Sequence, residues 1–429
     1  MSPVTGPAFY GGVDERIDSV VGGGHGLSVL CLTKPVRLAP PALRVRVERS
    51  PVLAEFFTGC LDVFGDCLSE ATPSAAQVRE FLLNDTPASL GPSFHTSLPR
   101  AVWRPPAFFR TDESLSGKVL EIQCPGSGWG DLSLLQDVYG ESGDLVVKSL
   151  DRHDRRIAAE LAALCPLGDP TVLHLLDNAS VPALMRYLIL STRPEVRYWG
   201  YDRGVKLDKC RFIRSHSVFG LAAANYFQTY LAEADAGRLR FDLPPMVLFD
   251  QKAPLALPFW EPTRDRFSDA VRSAIAYTYP LSVNGFRDEN GEWVPVDKFR
   301  ARPPTGRRYY LKYAGTDVNV NWGSRSVFRL SQKDFRTRLD RALAETARGR
   351  CWVVQKECAD KEVVQYFLRH DDEPTTQRMN VKYSGFYGPN GLLGIKTMHR
   401  RHFKVHGGEH TAIGLVAVSS NELHLGGPL

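Results

Sequence analysis

The stretch FRTDESLSGKVLEIQCPGSG, residues 109–128, decides how the rest of the chain is read. It runs Arg110-x-Asp112, then a Gly117-Lys118 turn, then an apolar strand carrying Glu121-x-Gln123. Residues two apart in a strand point the same way, so Glu121 and Gln123 share a face. Asp112 joins them across the turn if the two halves pair as a hairpin. The pattern predicts two carboxylates, an amide and an arginine gathered at one place. A surface hairpin with solvated charges would read the same in isolation, so the meaning depends on what the rest of the chain supplies.

A chain of 429 residues is too long for one core and predicts two or three domains. Its 43% hydrophobic and 24% charged residues are ordinary for a globular protein. A net charge of +5 makes no case for nucleic acid, although Arg155-Arg156 and Arg400-Arg401 are local basic clusters. The eight cysteines form no CxxC pair and are too sparse for a disulfide framework, which suits a reducing cytoplasm. The N-terminus lacks the basic and apolar regions of a signal peptide, and no window holds eighteen apolar residues. The expectation is a cytoplasmic protein with no membrane segment.

Residues 51–69 carry apolar side chains at helical spacing, and 74–85 follow as a second helix. Residues 1–105 therefore read as a partly helical region, ending in a proline-rich linker. The hairpin occupies 106–145, with Asp131 expected as the N-cap of a helix over 131–140. Residues 146–245 alternate short apolar runs (LVVKSL, TVLHLLDN, VRYWGYD, RFIRSHSVFG) with helices at 152–164 and 221–237. That alternation predicts a small α/β domain with a largely parallel sheet. The last region, 246–429, holds a strand at 307–315, a helix over 331–349 with Ser331 as N-cap and Gly349 as its stop, a strand at 351–357 and a β-rich tail from 378.

Three further features carry chemistry. YYLKYAG sets Lys312 in an otherwise apolar strand, where an ammonium costs free energy unless an anion meets it. The loop after it, 313–326, is small and polar, with backbone amides free to face phosphate, Gly315 and Asn319 among them. PPMVLFDQK predicts a strand ending at Lys252, and CWVVQKE ends an apolar strand in Gln355-Lys356-Glu357. Each alone is what a surface strand looks like. The tail adds Lys396, His399, Arg400, Arg401, His402, His406 and His410. Gly407-Gly408 break any helix that could align the last histidines, and no Cys or Asp joins them, so zinc is disfavoured.

Together these residues resemble the ATP-grasp superfamily. Their order, carboxylates before lysines, resembles its circularly permuted branch, typified by glutathionylspermidine synthase with its Arg-x-Asp…Glu-x-Asn motif. The resemblance implies an α/β, or α+β, ATP-grasp fold and an ATP-dependent ligase that joins a small-molecule or peptide carboxylate to an amine. It implies ATP and magnesium as cofactors. Asp112, Glu121 and Gln123 would hold the metal, Lys252 and Lys312 the phosphates, and Gln355, Lys356 and Glu357 the adenine. Gly315 and Asn319 would lie in a closing loop. Arg110, and either Arg400 or Arg401, would meet the reacting groups. Gln123 stands where the family has Asn, and its extra methylene moves the amide by ~1.5 Å. A small-molecule kinase and a non-catalytic nucleotide-binding scaffold are the alternatives. Peptide or specialised-metabolite assembly suits a ligase without fused domains. The oligomeric state is open, a homodimer being compatible.

Overall fold

Residues 109–123 fold as a hairpin, and its two strands lie at one end of a large, mostly antiparallel sheet. The computed structural model describes residues 29–32, 34–83, 85–124, 128–141, 152–168, 171–175, 197–199, 211–215, 218–222, 226–249, 251–316, 325–326, 330–358, 360–366, 374–401, 405 and 411–417. The strand expected at 145–150, Asn319, loop residues 317–324, and His402, His406 and His410 lie outside them.

In chain order the strands begin with β1 (Val29–Cys31), β2 (Phe109–Glu113) and β3 (Val119–Gln123). Then come β4 (Thr171–Leu175), β5 (Arg197–Trp199), β6 (Phe212–Ser215) and β7 (Arg240–Phe241). The next are β8 (Thr278–Pro280), β9 (Gly285–Arg287), β10 (Trp293–Pro295), β11 (Tyr309–Tyr313) and β12 (Arg325–Ser326). The series closes with β13 (Trp352–Lys356), β14 (Asp360–Tyr366), β15 (Thr375–Gly388), β16 (Gly391–Arg400) and β17 (Thr411–Leu415).

The fold is mixed α/β. The large sheet runs β1-β17-β16-β15-β2-β3, with β14 also paired to β15. A second sheet, β12-β11-β13-β8, is antiparallel in every pair, and a third, β5-β4-β6-β7, is wholly parallel. The parallel sheet lies within residues 146–245, where the alternation of apolar runs and helices predicted one.

The hairpin turn follows from Gly117, whose φ of 85° is the left-handed region where a Cβ is strained. A Cβ there would also meet Val45 Cγ1 at 2.9 Å and Arg49 Nη2 at 3.0 Å. The helix Ser50–Ser69 buries Leu53, Phe56, Phe57, Cys60 and Phe64 at its helical spacing, each large side chain contributing roughly 1.5–3 kcal/mol. These side chains share one apolar core with β2, β11 and β13. The N-terminal helices also clamp the hairpin by charge. Glu113, fully buried, pairs with Arg46 at 2.9 Å and Arg49 at 3.0 Å, and Arg46 donates to the Ser114 carbonyl at 2.6 Å.

Three local expectations change. The proline-rich segment before the hairpin is a chain of short helical turns, Ala88–Leu90, Pro92–Thr96 and Arg100–Val102, and not a free linker. It stays put because Leu90, His95, Leu98 and Val102 are buried. The run before Lys252 makes a 3-10 turn, Val247–Phe249, instead of a strand, and a second, Ala253–Ala256, follows Lys252 with Pro254 near its start. The helix Trp129–Glu141 begins before Asp131, whose carboxylate is taken up by Lys396 instead of capping backbone amides.

Candidate active site between the large sheet and the second sheet

The free edge of β3 docks on the second sheet. The Ala276 amide donates to the Val119 carbonyl at 2.8 Å. The Leu120 carbonyl accepts from Lys312 Nζ at 2.9 Å and from Gln355 Nε2 at 3.0 Å. Side chains on one face of the large sheet look onto that seam. Across it, Glu121, Asp112, Ser384 and Lys396 lie in register on consecutive strands β3, β2, β15 and β16. Directly opposed residues of antiparallel strands share a face, so these four do. Arg110, Gln123 and Lys382, each two residues from one of them, join the same face.

Asp112 is the centre of the group. Its Oδ2 accepts from Lys382 Nζ at 2.6 Å, its Oδ1 accepts from Ser384 Oγ at 2.8 Å, and Arg110 Nε lies 3.2 Å from Oδ1. Burial alone would raise the carboxyl's pKa. The Arg110 and Lys382 charges outweigh it and hold the group well below the usual carboxylate range. Glu121 lies 3.5 Å from Lys252 and keeps a quarter of its side chain exposed. Burial pushes its pKa up, but Lys252 and Lys312 bring it below normal against the opposing charge of Asp112. Lys312 is 5% exposed. Burial, the largest influence, and the like charges of Lys252 and Lys382 bring its pKa down to about 8 against the pull of Glu121.

The residues expected from sequence divide clearly. Arg110, Asp112, Glu121, Gln123, Lys252 and Lys312 come together, with Gln123 Nε2 3.5 Å from Glu121 Oε1. Gly315 follows β11 at the start of the loop, and Asn319 lies beyond the described residues. Gln355 is committed elsewhere, donating to the Thr278 hydroxyl at 2.9 Å as well as to the Leu120 carbonyl. Lys356 and Glu357 do border a cavity of about 550 Å³ at the link between β13 and β14, together with Lys118, Tyr277, Glu289 and Arg308. Lys356 pairs there with Glu289 at 2.8 Å.

Arg400 and Arg401 do not join the cluster. Arg400 pairs in register with Asn380, four residues along β15 from Ser384, about 13 Å of extended chain from the Asp112 row. Arg401 donates to Gln377. The β16 cation in the Asp112 row is Lys396, paired with Asp131 and only 6% exposed. Lys382 and Ser384 are the residues that sequence reasoning missed, and Lys396 was noted in the tail without a role. Lys382 carried a readable signal, since NVKYSGFYG sets a lysine in a strand just as YYLKYAG does for Lys312. Its partner Asp112 lies far away in sequence, which hid the pairing.

No protein-family model matches this sequence, and no curated protein matches it. Among solved structures, the chain is similar to a glutathione synthetase-like effector from Globodera pallida in its apo form. The identity is 13% and the TM-score 0.48, over 96% of this chain and 97% of that one. A likeness of that depth carries no statement about activity.

Proposed function

We propose that the protein is an ATP-dependent ligase that joins a small-molecule or peptide carboxylate to an amine through an acyl phosphate. One observation carries this reading. Lys252, Lys312 and Lys382 converge with Asp112 and Glu121, from four separated segments, on the seam between the large sheet and the second sheet. A carboxylate resists attack by an amine until its oxygen is turned into a better leaving group, and phosphate is one. In phosphoryl transfer the protein mainly positions groups and neutralises charge. Lys252, Lys312 and Arg110 are suited to phosphate oxygens and to the reacting acid.

The cavity beside Lys356 and Glu357 supports a site for the base, with Tyr277 as an aromatic wall and charged groups at its edge. From Lys118 at its rim to Glu121 is three residues, about 10 Å of strand, comparable to the reach from a base to its terminal phosphates. The loop from Gly315, with Asn319, is our candidate cover for an intermediate that water would destroy. On this reading 106–145 and 246–429 form the nucleotide-binding unit, flanked by 1–105 and 146–245.

Magnesium fits this donor set poorly. Glu121 and the Gln123 amide oxygen are hard donors, but both oxygens of Asp112 already hold Lys382, Ser384 and Arg110. The same locked carboxylate favours a second reading, a nucleotide-binding protein without turnover. An ADP-release assay across amino acids and short peptides separates the two. Release that needs both an acid and an amine is the expected result, release with the acid alone makes the protein a kinase, and no release with nucleotide bound makes it a binding protein.

A further inference from the structure

The face that gathers Asp112 and Glu121 carries more positive than negative charge. Arg110, Lys252, Lys312 and Lys382 surround the two carboxylates, and the adjoining Lys396–Asp131 pair adds nothing net. Two carboxylates facing each other across β2 and β3 would ordinarily suit a divalent cation. Here the position beside Asp112 is filled by an ammonium of the chain itself. Lys382 Nζ sits 2.6 Å from Oδ2, Ser384 Oγ sits 2.8 Å from Oδ1, and Asp112 is 1% exposed. Magnesium on this carboxylate at ~2 Å would have to evict that ammonium from a buried charged hydrogen bond. Among the described residues no three His, Cys, Asp or Glu side chains converge as a metal site.

We propose that Lys382 is the resident counter-cation of this site, so that a polyphosphate bound there needs no divalent metal. The inference deepens the nucleotide reading above and rests on it. Asp112 fixes the Lys382 ammonium at the sheet face, where it is oriented by a charged hydrogen bond. The surplus of two positive charges matches two negative charges of a terminal phosphate group. Ser384 holds the other carboxylate oxygen and keeps Asp112 from turning away.

The test is calorimetric binding of ATP to the full chain, once in EDTA and once in excess magnesium, for the wild type and for Lys382→Met. The wild type is expected to bind with dissociation constants within about threefold of each other in the two conditions. Lys382→Met is expected to lose about 10–100-fold in EDTA, the scale of one charged hydrogen bond, and to recover part of it with magnesium. Lys382→Arg, which keeps the charge, is expected to bind in EDTA and guards against a Met variant that fails to fold. Wild-type binding that appears only with magnesium overturns the counter-cation role and leaves the nucleotide reading standing. Unchanged affinity of a folded Lys382→Met in EDTA overturns it as well. No ATP binding in either condition overturns both.

Discussion

Lys312 sits where its environment disfavours its own charge, and that gives a pH dependence with a definite sign. Its pKa is about 8 in the folded protein against an ordinary value of 10.5. Between those values the unfolded chain holds more protons, so the ligand-free protein gains stability as pH rises across that window. Below pH 8 the penalty of the buried ammonium is constant. An anionic ligand needs that ammonium, so ATP affinity should fall as pH climbs past about 8. In Lys312→Met the affinity should be lower, by roughly 1.5–3 kcal/mol, and flat over the same range. Binding curves at a series of pH values check this, and an identical slope in the variant would remove Lys312 from the site. The same residue was legible in YYLKYAG because a lone lysine in an apolar strand demands an explanation from one segment alone.

The hairpin is the element on which the site depends, and two substitutions probe what holds it. Gly117→Ala places a side chain at φ 85° against Val45 and Arg49. It should cost at least the roughly 1–2 kcal/mol of a left-handed non-glycine residue. Glu113→Gln leaves the Arg46 and Arg49 guanidinium groups buried without their carboxylate, a loss on the order of 3–5 kcal/mol. Urea denaturation midpoints measure both, and a Glu113→Gln protein as stable as wild type would mean that the clamp is dispensable. Glu113 itself was passed over in the sequence. Its neighbours Asp112 and Glu121 fit a chemical pattern, whereas its own partners come from the helix Pro40–Val47 and the turn after it, which the hairpin sequence does not predict.

At the scale of the molecule, the large sheet joins strands from both ends of the chain. β17 lies between β1 and β16, all five of its residues are buried, and Ile413 and Leu415 enter the core under the helices Trp129–Glu141 and His153–Leu164. β15 pairs with β2 on one side and β16 on the other. A chain ending at Arg401 should therefore fail to fold, because it exposes β1 and β16 as unpaired edges and uncovers that core. Circular dichroism and size-exclusion chromatography of the truncated chain check this. A monomeric truncated chain with wild-type β content would mean that β17 is an accessory strand.

The sequence by itself determined what one segment can state locally. The hairpin with its glycine turn, the helix Gln332–Ala347 with Ser331 accepting from the Asp334 amide, the parallel sheet and the strands around Lys312 and Gln355 all follow from period, caps and turn residues. It also brought Asp112, Glu121, Lys252 and Lys312 onto one list, because their order along the chain fits one pattern, although only Lys312 is unusual for its own surroundings. Only the tertiary structure decided what those charges meet. The β2–β15 register gave Asp112 to Lys382 and Ser384, the β16 register put Lys396 and not Arg400 in its row, and Asp131 went to Lys396 instead of a helix cap. The physical reason is that side-chain pairing across a sheet is fixed by register between strands hundreds of residues apart. A slip of one residue would turn every one of these groups to the other face.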